Sequence, residues 1–450
     1  MQHTLNCKKY LLILLLLCLG GFPVDHAQAI TPESTSGLKP IKPVAVSYNT
    51  ERYNAFLKNI ETHFSAGDRL LMPLGFFAVT NHISKTNEMK QLVENGMTFI
   101  HRYDSTLTLT VARRNIVNSK KAGIPLAINL PHKQHDMQWW RNFLKDLVKD
   151  NQIIFWHLPE EPKPEDMEYI NDLANLIHEI DPLHRPVATY LNLTDNTYLT
   201  KAAKSLDFIV YGAYPGHGWV GGARLRIARK IDKAYSCHAP AVMAALESFN
   251  TKTLGWPKPK HVLFDTYISL IHGAKGIWWY GYHFARDNAE LLDAILARTK
   301  ILNGPEYLGE VFLRGKDSES INAHLISGPE FFPSNKTIST KMRLAGKLYK
   351  ALQWRAIDYR GNTYIAAVNG SQFINKYPLQ AKEDKLIIKA VFSGFNPESK
   401  ITLLDGVNSY DHKDGSLTVT LEPLATIVLK ISDQHLSNKE MSNKKQLIKQ

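Results

Sequence analysis

From Leu70 onward the chain repeats one pattern: a short apolar run rich in Val, Ile, Phe and Tyr, then a longer segment of helical period. The runs are Leu71 to Val79, Met97 to Tyr103, Ile124 to Leu130, Gln152 to Leu158, Pro186 to Leu191, Asp207 to Tyr214, Ala241 to Glu247 and Ala274 to Tyr280. After them come Thr86 to Asn95, Leu109 to Ala122, Met137 to Lys149, Glu165 to Ile180, Tyr198 to Ser205, Gly222 to Tyr235, His261 to His272 and Ala289 to Leu302, each with apolar residues three and four apart. Helix-ending glycines at Asn95-Gly96, Ala122-Gly123 and His272-Gly273 precede the next run. Regular alternation of strand and helix is the signature of a parallel sheet. Eight units between about residues 70 and 305 give ~30 residues each, the spacing of a complete (β/α)8 barrel of roughly 250 residues. An open doubly wound sheet would carry a phosphate-binding glycine loop after its first strand, where this chain has Thr80-Asn81-His82. The predicted fold class is α/β: a (β/α)8 TIM barrel over 70–305.

The flanks change period. Lys8 and Lys9, the apolar run Leu11 to Leu19 and the small-residue sequence Ala27-Gln28-Ala29 read as a secretory signal peptide over 1–29, which places the protein outside the cell or in the periplasm. Lipid anchoring at Cys18 is the weaker reading, because Leu17 stands where such sites have a small residue. No other stretch approaches the ~20 apolar residues of a membrane helix, so no integral membrane segment is expected once the leader is cleaved. Residues 30–69 are expected to be an extended leader followed by a helix packing on the barrel's outside. Over 306–435, short runs such as Thr363 to Val368, Lys385 to Phe392, Lys400 to Leu404, Leu417 to Leu421 and Thr426 to Ile431, with turns at Arg360-Gly361-Asn362 and Asp414-Gly415-Ser416, predict a small antiparallel β-sandwich. A basic tail fills 436–450. Cleavage would leave Cys237 alone of three cysteines, so no internal disulfide is expected.

In a barrel of this kind, function sits in the loops after the strands. The fourth run ends in Trp156-His157-Leu158-Pro159-Glu160-Glu161-Pro162 and the seventh in Ala245-Leu246-Glu247-Ser248-Phe249. Acids that close apolar strands are costly unless a cleft solvates them or they are used. Glu161 and Glu247 are 86 positions apart, about three units, which puts both on one rim. Two carboxyl groups facing each other across a cleft suit glycosidic bond cleavage, one protonating the leaving oxygen and the other attacking the anomeric carbon. The blander alternatives are a helix-start carboxylate for Glu161 and a structural ion pair for Glu247.

On these residues the chain resembles the clan A glycoside hydrolases, whose (β/α)8 barrels carry an acid/base Glu after strand four and a nucleophile Glu after strand seven. The resemblance runs from about Leu70 to Leu302 and is strongest in Trp156 to Pro162, Ala244 to Ser248 and Gly273 to Gly281. It implies Glu161, directly before Pro162, as acid/base and Glu247 as nucleophile. It also implies Tyr214 as the residue orienting the nucleophile and Trp279 as an aromatic floor for the sugar, although aromatics at these positions are also ordinary barrel packing. One departure stands out: the family's Asn before the acid/base is Glu160 here. Two adjacent acids raise the pKa of one of them, which either helps keep the acid protonated or marks a repurposed site.

Further candidate sugar contacts are Arg102 and Asp104 after strand two, His132 and His135 after strand three, and Trp219 in the Gly-rich loop from Gly216 to Gly222. No helical His pair with a Glu, no G-x-S-x-G and no phosphate loop is present, so neither metal nor organic cofactor is expected. The net charge of +12 is spread along the chain, and no nucleic-acid partner is expected. The leading expectation is a secreted retaining glycoside hydrolase that cleaves a β-linked oligo- or polysaccharide. Its rivals are a non-catalytic carbohydrate-binding protein on the same barrel and an envelope protein whose basic surface meets anionic polymers.

Overall fold

The computed structural model describes residues 37–103, 107–131, 134–215, 224–251, 255–332, 349–372 and 386–432. The segment expected to be a signal peptide, the basic tail, Asp104, His132 and Trp219 lie outside the described residues. All eight expected strands are present: β1 Leu74–Phe77, β2 Phe99–Arg102, β3 Leu126–Asn129, β4 Ile153–His157, β5 Val187–Leu191, β6 Phe208–Ala213, β7 Val242–Glu247 and β8 Ile277–Tyr280. They pair in parallel and in chain order, and β8 closes the barrel by pairing with β1.

The helices between them form where the periodicity places them, with local chemistry fixing their ends. Leu109–Ala122 starts with the Thr108 hydroxyl accepting from the Val111 amide and stops at Gly123, whose φ of 69° is left-handed. Pro259–Ile271 is different, because Phe264 to Ile271 is buried without a break. That helix lies between the barrel and the C-terminal strands, where the Tyr267 hydroxyl donates to Asp405 (2.8 Å).

Inside the barrel, Trp278 occupies the axis, its ring within 5.2–5.5 Å of those of Phe77, Phe99, His101, Phe155 and His157. Its partners in register are Gly75 and Ala245, small enough to leave room for an indole. A Cβ on Gly75 would come within 2.4 Å of the Phe99 ring. The N-terminal helix Thr50–Phe64 is not on the barrel's outer wall, as the sequence led us to expect. It floors the barrel, with Phe56 against Phe208 and Phe64 against Phe99, the first residues of β6 and β2. Its burial is driven by the open apolar lower end of the barrel, a surface that exists only after closure.

The C-terminal region forms two five-stranded antiparallel sheets. One has the order Lys39–Pro40, Asn322–Ser327, Ile388–Ser393, Ser416–Leu421, Tyr410–Lys413, and the other Lys316–Asp317, Leu352–Tyr359, Asn362–Asn369, Thr426–Ser432, Lys400–Gly406. The rings of Trp354 and Phe392 meet between them at 5.3 Å. Part of the segment expected to be a leader therefore belongs to the sandwich: Lys39–Pro40 adds an edge strand, and the Ile41 amide donates to Ala323.

Candidate active site

Glu247 ends β7, is 3% exposed, and stands in register with Tyr280, the last residue of β8. Tyr280 is in turn in register with Phe77, and the two rings stack at 5.0 Å. Phe77 also stacks on His101 and meets Trp278, so residues 77, 280 and 247 face inward at the carboxyl-end mouth. The Ser248 hydroxyl donates to the Tyr280 carbonyl and ties the two strand ends together.

The second acidic position is delivered by an extension of β4. The Leu158 amide donates to the Ala188 carbonyl (2.8 Å), the Thr189 hydroxyl to the Pro159 carbonyl (2.7 Å), and the Glu161 amide to the Tyr190 carbonyl (2.9 Å). Segment 158–161 is thus stitched to β5 up to the rim. Glu161 sits at φ 48°, a left-handed conformation uncommon for a side-chain-bearing residue and frequent at functional sites. The two neighbouring acids differ in environment: Glu160 is partly buried and Glu161 is exposed.

A collar of tyrosines surrounds them. Tyr103, just beyond β2, hydrogen-bonds Glu160, and both Tyr190 and Tyr280 lie within the electrostatic reach of both acids. Tyr214 packs between Tyr190 (6.3 Å) and Tyr280 (5.6 Å), and Phe249 meets Tyr214 (5.4 Å) and Tyr280 (5.6 Å). Burial, with Glu161's charge adding to it, pushes the Glu160 carboxyl from 4.5 up to about 8, although the Tyr103 hydrogen bond acts the other way. Burial and the adjacent Glu160 push Tyr103 up to about 12. Beneath the collar, His101 Nε2 and His157 Nδ1 are 3.2 Å apart in the closed lumen, and burial holds His101 well below its ordinary value.

Two further features set the collar's shape. A Cβ on Gly212 would lie 1.8 Å from the Tyr190 hydroxyl, so only glycine lets that ring lie across β6. Lys230, on the helix Arg226–Ser236, donates to the Gly212 carbonyl and to Asn192 Oδ1 (3.1 Å). Its amine is lowered to about 8 by burial, while the charge of Glu161 acts in the opposite sense.

Of the residues singled out in the sequence, Glu160, Glu161, Glu247 and Tyr214 are assembled at the mouth. Two expected sugar contacts are elsewhere. Trp279 is 1% exposed and faces outward, in register with Phe76 and Leu246 and packed on the Phe76 ring (6.2 Å). The phase of β8 is set by Glu247 and Tyr280, so the odd-numbered tryptophan falls under the helices. Arg102 follows the inward-facing His101 and turns to the helix layer, where it donates to Asn115 (2.5 Å). Tyr103, Tyr190, Tyr280 and Phe249 were missed; for Tyr280 the available signal was its place at the end of the eighth strand, level with Glu247.

No family model matches the chain, and no curated protein matches it by sequence. Among solved structures, an α-amylase from Geobacillus thermoleovorans complexed with acarbose superposes with a TM-score of 0.50 over 81% of this chain and 98% of that one, at 10% identity. What the two share is the fold. A GH42 β-galactosidase from G. stearothermophilus reaches a TM-score of 0.48 over 81% of this chain and 98% of its own, at 7% identity. At such distances chemistry has to be argued from side chains.

Proposed function

We propose that the chain is a retaining glycoside hydrolase of a β-linked oligo- or polysaccharide, with Glu247 as nucleophile and Glu161 as acid/base. The observation that carries this reading is Tyr280: it is level with Glu247 in the β7–β8 pairing and feels the charge of both acids that follow β4. Two acidic positions from opposite parts of the barrel thereby share one aromatic-walled mouth, the arrangement that double displacement at an acetal needs.

In the first step the Glu247 carboxylate attacks the anomeric carbon, the bond to the leaving oxygen breaks, and that oxygen takes the Glu161 proton. In the second, Glu161 removes a proton from water, whose oxygen attacks the same carbon and releases Glu247. Tyr190, Tyr214, Tyr280 and Phe249 supply faces for a sugar ring to rest on. Export through a cleaved leader to the periplasm or the exterior belongs to the same reading.

Purified protein screened against bacterial, plant and algal glycans should release product of the same anomeric configuration as the substrate, and Glu247→Gln should abolish turnover. Inversion of the anomer, an active Glu247→Gln variant, or glycan binding without any released sugar would each overturn the assignment.

A further inference from the structure

We propose that the cleft between the helix Arg226–Ser236, Thr194 and Tyr349, on the flank of the barrel, is a second carbohydrate-binding site that takes the carboxylates of a polyuronate chain. The inference rests on the hydrolase reading and adds to it the substrate class, a polysaccharide with a negative charge on successive sugars.

The helix carries Arg226, Arg229, Lys230 and Lys233 at i, i+3, i+4 and i+7, so the four share one face. The last three line a cavity of about 360 Å3 with the hydroxyls of Thr194, Ser236 and Tyr349. Lys230, 9% exposed, donates to the Gly212 carbonyl and to Asn192 Oδ1 (3.1 Å), and Lys233 donates to Asn196 Oδ1. Those acceptors are neutral. Among the described residues the Arg229 guanidinium has no hydrogen bond or ion pair, and no carboxylate pairs with any of the three. The one acid in the lining, Asp232, has His272 Nδ1 at 2.6 Å. The cations do not converge: Lys230 is pinned at Gly212 and Asn192, Lys233 at Asn196, and Arg229 and Lys233 lie a helical turn apart, about 6 Å along the axis. A lone phosphate needs donors that meet at one point, whereas charges spaced along a helix face suit an anion whose charge recurs along a chain. The planar fork of Arg229 fits a carboxylate. The three hydroxyls match those of sugars between the charges, and the Tyr349 ring adds a face for one of them. Lys230 also touches the mouth, since the Gly212 carbonyl it holds belongs to the glycine that Tyr190 lies across.

Binding is measured by calorimetry on the full-length Glu247→Gln protein, so that turnover does not enter. Polygalacturonate should bind and neutral dextran should not. Adding Arg229→Gln and Lys233→Gln removes two cations outside the mouth and should weaken polygalacturonate about a hundredfold, roughly tenfold for each charge-assisted contact. Affinity should also fall steeply from about 0.1 to about 1 M salt, as the Debye length shrinks from ~10 to ~3 Å. Amide hydrogen exchange on the protein that keeps both cations is a second readout: polygalacturonate should slow it over residues 192–196 and 226–236.

The inference is overturned by polygalacturonate that does not bind, or that binds the Arg229→Gln, Lys233→Gln protein as tightly. It is also overturned by inorganic phosphate that binds as well as the polymer, which makes the cleft a simple ion site, or by polyglutamate that does so, which makes it a surface for acidic protein. Should the substituted protein fold poorly, exchange decides: protection of the two segments supports the site and its absence overturns it. Failure of the hydrolase reading looks different. If no glycan, acidic or neutral, is cleaved while polygalacturonate still binds through Arg229 and Lys233, hydrolysis falls and the cleft stands. Cleavage of neutral glycans without polyuronate binding leaves the hydrolase and removes the cleft.

Discussion

Replacing Glu160 by Gln should change how folding stability depends on pH, whether or not a substrate is ever found. In the unfolded chain this carboxyl ionises at its ordinary 4.5, and in the folded protein it holds its proton to about 8. Between those values the native state binds more protons than the unfolded state, so stability falls as pH rises. The stabilisation is fully present below 4.5 and is lost by about 8. At about 1.4 kcal/mol per pH unit, the ceiling over that interval is roughly 5 kcal/mol, and the mouth's contact with water brings a working expectation of about 2 to 3 kcal/mol. Urea unfolding of wild type and Glu160→Gln at half-unit steps from pH 5 to 9 isolates the effect, because every other titrating group is common to both proteins. The variant should gain on the wild type by that amount between pH 5 and 8 and run parallel above. Curves that stay parallel throughout would show that Glu160 ionises normally in the folded protein and would remove the physical basis assigned to it here.

Two further expectations concern the scaffold. Gly212→Ala pushes a methyl to 1.8 Å from the Tyr190 hydroxyl; overpacking of this kind costs about 1 to 3 kcal/mol and should also cut turnover by displacing the collar, so unchanged kcat/KM would refute Tyr190's place in the site. Asp181→Ala leaves Arg185 buried without the carboxylate that bonds its Nε (2.8 Å) and Nη2 (2.9 Å) and takes the Trp156 Nε1 hydrogen (2.8 Å). Breaking such a pair costs about 3 to 5 kcal/mol, and a loss under about 1 kcal/mol in denaturant titration would contradict it.

The eight units were legible in the chain because they are local. A strand-length apolar run, a helical period and a terminating glycine are properties of neighbouring residues, and two helices, Leu109–Ala122 and Ala289–Leu302, have the boundaries read from periodicity. The two acidic strand ends were legible for the same reason, since an acid closing an apolar run stands out without any knowledge of its partners.

What the chain alone could not decide was direction. Trp278 and Trp279 are adjacent and equally apolar; the register that levels Tyr280 with Glu247 and Phe77 turns one into the lumen and the other under the helices. Likewise Glu160 and Glu161 read as a pair of like charges, and only the folded chain, with its left-handed backbone at Glu161 and the Tyr103 hydroxyl on Glu160 from some sixty residues away, makes one partly buried and the other exposed. Local composition determined which elements form and in what order. Closure of the barrel decided which faces meet, because the inward side of a strand is defined only by the strands beside it.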